Sequence, residues 1–135
     1  MVLAEVLIEM RNLEARITQL EDFLHHAATR DAKLADRANT KLLDLLDKHR
    51  SHLILVNKIN NETDVSIGDS TVSLANAILI TKTMRRKIEL LNSLIESEDV
   101  LLDVLSLMEQ RDKLLEEYDT ISNDLRALEW RTQID

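Results

Sequence analysis

Residues 3–24, LAEVLIEMRNLEARITQLEDFL, decide the fold class of this chain. Apolar side chains recur here at alternating spacings of three and four residues, which places them along one face of an α-helix. They are Leu3, Val6, Met10, Leu13, Ile17, Leu20 and Leu24. Charged residues fill most positions between them, as on a solvated helix face. This heptad seam predicts a long helix that packs against another helix.

Three later segments repeat this spacing, so the sequence predicts helices over residues 2–28, 33–60, 71–97 and 100–132. The second stripe contains Leu34, Ala38, Leu42, Leu45, Leu46, His49, Leu53, Val56 and Ile59. The third contains Leu74, Ala77, Thr81, Met84, Ile88, Leu91 and Ile95, and the fourth contains Val104, Leu107, Met108, Leu114, Tyr118, Ile121, Leu125 and Leu128.

A polar loop is predicted over residues 61–70, since Gly68 permits positive φ and the surrounding Asx, Ser and Thr side chains favour turns. Val65 and Ile67 alternate with polar neighbours, which is compatible with a short extended finger. Ser70 or Thr71 would cap the helix that follows. Residues 96–103 contain no glycine or proline, and the pattern there fits a turn and a continuous helix equally well.

The composition supports an all-α fold with a slender interior. The 135 residues include no proline and one glycine, with 44% hydrophobic, 31% charged and only 2% aromatic residues. The length suits one domain over residues 1–135. Long helices from so short a chain leave apolar seam near water, so we expect an elongated hairpin or bundle that assembles as a homo-oligomer.

Charge and cysteine content exclude several classes of protein. The absence of cysteine removes disulfides and thiolate chemistry, which makes the cytoplasm the expected location. The formal charge of −8 argues against binding of a nucleic-acid polymer, which depends on Lys and Arg. The longest uncharged run, residues 70–81, is too short to cross a bilayer, so we expect no membrane partner.

Catalysis is not expected, because one glycine rules out most phosphate loops and nucleophile elbows. His49 lies on the second stripe and His52 follows three residues later, so a metal-dependent hydrolase is the enzymatic alternative. Helical metal sites, however, usually recruit several inward carboxylates. The favoured interpretation of His49 is a hydrogen-bonded seam residue, and neither a metal nor a cofactor is expected.

Four cations within six residues, Lys82, Arg85, Arg86 and Lys87, interrupt the acidic background and form a candidate ligand site. Arg and Lys there could hold the phosphates of a small nucleotide-like anion at a subunit interface. Further candidate ligand-binding residues are Asn57, Asn60, Asn61 and Thr63 as neutral donors and Trp130 as a stacking surface. The alternative is that the cations pair with acidic helix faces and that Trp130 ends the seam.

Several stretches together resemble a family of small bacterial and phage proteins of unknown function labelled septicolysin-like. They are residues 3–11 and 13–17, the turn residues 59–61 with Thr63, residues 71–77, Arg85, and the terminal residues 125–130. The resemblance covers nearly the whole chain. It implies a helical oligomer of phage or prophage origin without an established activity.

These observations predict a non-catalytic interaction protein whose partner is itself, and in a phage setting a host protein. The alternative function is a binding protein that sequesters a small anionic ligand between subunits.

Overall fold

The computed structural model describes residues 1–98 and 101–134 as four long helices and one β-hairpin. The elements in chain order are α1 (Leu3–Ala27), α2 (Ala32–Glu62), β1 (Asp64–Ile67), β2 (Ser70–Ser73), α3 (Leu74–Glu96) and α4 (Val104–Arg131). The prediction of an all-α fold is confirmed by the four helices. None of the helices in the described part of the chain has an apolar stretch of the length needed to span a bilayer.

Two helices begin at aspartates that serve as N-terminal caps. The Asp31 carboxylate accepts hydrogen bonds from the backbone amides of Lys33 at 3.1 Å and Leu34 at 3.2 Å. The Asp103 carboxylate accepts from the second and third amides of α4 in the same way. Helix α3 therefore ends and α4 begins within or next to residues 96–103. Residues 99 and 100 of this stretch lie outside the described residues.

The predicted polar loop 61–70 and the predicted start of the third helix at residue 71 are wrong. Residues 61 and 62 continue α2, and β1 and β2 pair antiparallel around the two-residue turn Gly68-Asp69. Gly68 has a φ of 59°, and no other described residue has positive φ, which is typical of a type II′ turn. The cap of α3 is Ser73, whose side chain accepts from the Asn76 amide, rather than Ser70 or Thr71.

The described residues divide into two compact units, and the prediction of one domain over residues 1–135 stays a prediction. The first unit contains residues 1–59 and the described residues 129–134. Its core is a cluster of the buried residues Leu13, Ile17, Leu42 and Leu45, with Leu20 and Leu24 packed against it. In the same unit residues 1–3 meet residues 132–134, because the Leu3 amide donates to the Thr132 carbonyl at 2.8 Å and the Ile134 amide donates to the Met1 carbonyl at 2.9 Å.

The second unit, residues 60–128, contains the hairpin, α3 and most of α4. The Leu74 amide donates to the Thr63 carbonyl at 2.7 Å, which joins the start of α3 to the chain before β1. Residues on one face of α3 are buried as the sequence predicts, and they are Leu74, Ala77, Met84, Ile88 and Leu91. Arg85 contacts Tyr118 and Arg111 contacts Asn92, so α3 and α4 run side by side in opposite directions.

Candidate functional site

Two histidine–glutamate pairs bridge α1 and α2. His49 Nε2 lies 3.0 Å from Glu14 Oε1, and His52 Nε2 lies 2.9 Å from Glu9 Oε2. The two histidines are half-buried beside the apolar seam, while both glutamates reach solvent. The hydrogen-bonded role predicted for His49 is confirmed. Because the partner residue numbers fall on α1 as they rise on α2, the pairs also show that the two helices are antiparallel.

The pairs leave each histidine with one carboxylate. No group of three or more metal-ligating side chains converges anywhere in residues 1–98 and 101–134. Beside the His52 pair lies an open groove of about 230 Å³, bordered by Asn12, Arg16 and Lys48. Its borders carry both charge signs, and its only apolar residue is Leu13. The arrangement can hold α1 against α2 through polar contacts at the edge of the seam.

The sequence-predicted cation site is built around Arg85. The Arg85 guanidinium donates a hydrogen bond to the Tyr118 hydroxyl at 2.9 Å, and its central carbon lies 5.9 Å from the centre of the ring. The same hydrogen bond, followed by one from Ser122, lowers the pKa of Tyr118 from its usual value of 10.0. The tyrosine in turn raises the pKa of Arg85, so this pair is held as a cation next to a polarised phenol.

The cations do not form one patch on α3. Successive helical residues are rotated by about 100°, so Lys82, Arg85 and Arg86 share one side of the helix while Lys87 lies about 160° from Arg85. Glu89 falls on the same side as the three cations and contributes to the raised pKa of Arg85. The site therefore carries three positive charges and one negative charge, and all four side chains are exposed.

The other predicted ligand-binding residues fall in different units. Asn60, Asn61 and Thr63 belong to the second unit together with the cations, whereas Asn57 and Trp130 belong to the first. Asn60 and Asn61 lie in the last turn of α2. The Thr63 carbonyl accepts a hydrogen bond from the Leu74 amide of α3, so the backbone of Thr63 has a structural role. Trp130 is 53% exposed near the end of α4.

An apolar surface that sequence reasoning missed lies on α2. Leu46 and Leu53 were predicted to lie in the seam, and this is wrong because each is 41% exposed. Leu43 and Ile54 are more exposed still, at 53% and 59%. The four residues form the α2 stripe. It lies along one arc of the helix, next to the arc that holds the buried residues Leu42 and Leu45.

The spacing of the α2 stripe is that of a second heptad seam. Leu43, Leu46 and Leu53 fall at steps of three and seven residues, and Arg50 occupies the intervening position. The centres of the buried and exposed arcs are about 110° apart around the helix axis. Helix α2 thus has one apolar face packed on α1 and a second that is open to solvent.

Unit two has its own groove between the hairpin turn and α4, with a volume of about 520 Å³. Its apolar residues are Ile67 and Ile121, and its remaining side chains are the charged or hydroxyl residues Lys113, Glu116, Glu117 and Thr120. It is open to solvent and holds charges of both signs. This arrangement has no convergent set of polar groups of the kind that fixes a small ligand.

Comparison with known proteins supports the fold. A crystal structure of a functionally unknown conserved protein from Corynebacterium diphtheriae superposes with a TM-score of 0.88 at 22% sequence identity, covering 100% of this chain and 99% of that chain. No family model and no curated protein matches the chain. The resemblance to the septicolysin-like family, with its phage or prophage origin, stays a prediction.

Proposed function

We propose that this protein is a non-catalytic interaction protein that works as a homo-oligomer. The observation that carries the proposal is the α2 stripe, four large apolar side chains that are each 41–59% exposed on one helix. Single exposed apolar residues are common on soluble proteins, but a row at heptad spacing, here with Arg50 at one position, is the pattern of a helix that packs against another helix.

Two exposed leucines on α3 support the same proposal. On α3, Leu79 and Leu90 are 59% and 60% exposed and lie three helical turns apart on one side of the helix. Ile80 borders the same side. Each of the two units therefore exposes large apolar side chains on a helix, and a homo-oligomer can cover them through repeated identical contacts.

Native mass spectrometry and sedimentation of the purified protein test the proposal. We expect a discrete oligomer for the wild type and a lower stoichiometry for Leu46→Asp, which places a charge in the α2 stripe. Ile8→Asp is the matched control, because Ile8 is also exposed, at 44%, but lies on the side of α1 away from its seam. Circular dichroism must show the same helix content for all three proteins. A wild type that is monomeric at high concentration would refute the proposal.

We also propose a second function, the binding of a small anionic ligand by the three cations on α3. The supporting observation is that the contact with Tyr118 fixes the Arg85 side chain while leaving it at the surface, with Lys82 and Arg86 beside it. A preorganised guanidinium costs less entropy when it binds a phosphate or carboxylate.

Thermal unfolding with ATP and with inorganic phosphate as probes tests this second function. A ligand at a hundred times its dissociation constant should add about 2.7 kcal/mol to the free energy of unfolding. We expect Arg86→Glu to abolish this stabilisation and Lys113→Glu, on α4, to leave it intact. Equal stabilisation of the wild type and Arg86→Glu would assign the anion to another site.

A further inference from the structure

Charges beside the α2 stripe are divided by sign along the helix. Asp36 and Asp47 border the stripe in the N-terminal half of α2, and both are exposed. In the C-terminal half the charged residues on this side are Arg50 and Lys58, which are exposed as well. The other Lys, Arg, Asp and Glu residues of the helix lie about 110° or more from the centre of the stripe, and they are Lys33, Arg37, Lys41, Asp44, Lys48 and Glu62.

This division decides between the two ways in which a pair of α2 helices could meet. A parallel pair in register would place acidic half against acidic half, which is unfavourable. An antiparallel pair would place the acidic half of each helix against the basic half of the other. Because of the two-fold axis, each favourable contact would occur twice in the dimer.

The apolar positions fit the same antiparallel pairing. When the two-fold axis lies near residue 49, Leu43 of one protomer faces Ile54 of its partner, and Leu46 faces Leu53. Asp47 of one protomer then faces Arg50 of its partner. In this pairing apolar residues face apolar residues and Asp47 faces Arg50, so the stripe matches its own inverted copy, which is the requirement for an isologous interface.

We propose that the occupant of the α2 stripe is a second copy of this chain, bound antiparallel with the two-fold axis near residue 49. This inference rests on the proposed homo-oligomer and deepens it by specifying the interface. The contact between Asp47 and Arg50 selects the orientation, while the leucines and isoleucine supply the buried area.

Charge reversal in the full-length protein tests the pairing, with the dissociation constant of the oligomer measured by sedimentation. Asp47→Arg and Arg50→Asp should each weaken association by about tenfold, because each creates two like-charge contacts at a two-fold interface. The double variant Asp47→Arg/Arg50→Asp should recover the wild-type constant to within about threefold. Singles that match the wild type, or a double variant as weak as the singles combined, would overturn the antiparallel pairing.

Cysteine crosslinking gives an independent measurement, since the natural chain contains no cysteine. Leu43→Cys mixed with Ile54→Cys should form a mixed disulfide under mild oxidation, whereas Leu43→Cys alone should form none. The reason is distance: in the antiparallel pair the two copies of residue 43 lie roughly 16 Å apart, and a disulfide needs Cα atoms within about 7 Å.

The outcomes separate this inference from the proposed function. A disulfide between two protomers of the Leu43→Cys variant would show a parallel pair, and an oligomer that gives neither disulfide would place the interface elsewhere. Both results overturn the inference and leave the homo-oligomer standing. A monomeric wild type would overturn the homo-oligomer itself.

Discussion

At the scale of single residues, the effect of the contact between Arg85 and Tyr118 on the pKa of the tyrosine can be measured directly. Tyr118 is the only tyrosine of the chain, so the ultraviolet absorbance of tyrosinate reports this side chain alone. The hydrogen bond from Arg85 is the main cause that lowers the pKa of Tyr118, and Ser122 is the second. The geometry therefore predicts that the phenol ionises below the usual value of about 10.

Replacing Arg85 by methionine should raise the midpoint of the tyrosinate titration toward its usual value, because the donor and the positive charge are both removed. Arg86→Met is the control, since Arg86 lies one position further around α3. The linked effect on stability has a defined sign. Between the lowered pKa of the folded protein and about 10, the unfolded chain binds more protons, so the free energy of unfolding of the wild type rises with pH in that window. Below the window the linkage contributes nothing.

Identical titrations for the wild type and Arg85→Met would show that the contact does not form in solution.

At this scale the sequence predicted which residue types could bind an anion but not what they contact. Lys82, Arg85 and Arg86 are equivalent as a run of cations. Only the packing of α3 against α4 distinguishes them, by placing Tyr118 next to Arg85 and not next to Arg86. The seam spacing predicted Tyr118 as an inward residue, and the hydroxyl partner depends on the relative position of two helices, which spacing does not determine.

At the scale of the elements, the aspartate caps replace the glycine and proline that usually mark helix ends. Asp31→Ala should reduce the free energy of unfolding by about 1 kcal/mol, because two amides of the first turn of α2 lose their acceptor. Asp31→Asn is the matched control, since asparagine caps a helix about as well as aspartate. Urea denaturation of the three proteins measures the difference. If Asp31→Asn were as destabilising as Asp31→Ala, the cause would be the lost charge rather than the lost cap.

The caps also explain which boundaries the sequence could predict. The sequence predicted a break between residues 28 and 33, and Asp31 fixes where the next helix begins. Before α4 the aspartate at position 103 was a usable signal, since aspartate is favoured as an N-cap. The hairpin had a signal as well, because Gly-Asp between two short alternating runs is a two-residue turn. Both strands are short and half polar, so the composition of residues 61–70 resembles that of a loop. For this reason the sequence predicted a loop there.

The two apolar arcs of α2 show where spacing stops being informative. Leu42, Leu45, Leu46 and Leu53 all satisfy a helical repeat, so the sequence places them in one seam. The structure buries Leu42 and Leu45 against α1 and leaves Leu46 and Leu53 exposed. A repeat identifies the apolar side of a helix, but which part of that side packs within the chain depends on the position of its neighbour.

For the whole molecule, the contrast between buried and exposed leucines predicts different effects for two leucine-to-aspartate substitutions, one on folding and the other on assembly. Leu13 is 8% exposed and packs within the α1–α2 core, whereas Leu53 is in the α2 stripe. Leu13→Asp buries a charge and should unfold the first unit. Leu53→Asp places its charge in solvent in the isolated protomer and should remove assembly alone.

Thermal unfolding at several protein concentrations distinguishes these consequences. An oligomer is stabilised by mass action, so the Tm of the wild type should rise with concentration, by roughly 3 °C per tenfold for a dimer of this size. Leu53→Asp should keep its helix content and show a Tm that does not depend on concentration. Leu13→Asp should lose helix content at every concentration. A wild-type Tm that is independent of concentration, together with an unchanged Leu53→Asp, would mean that the α2 stripe stays open to solvent in the working protein, and its apolar surface would then require a different partner.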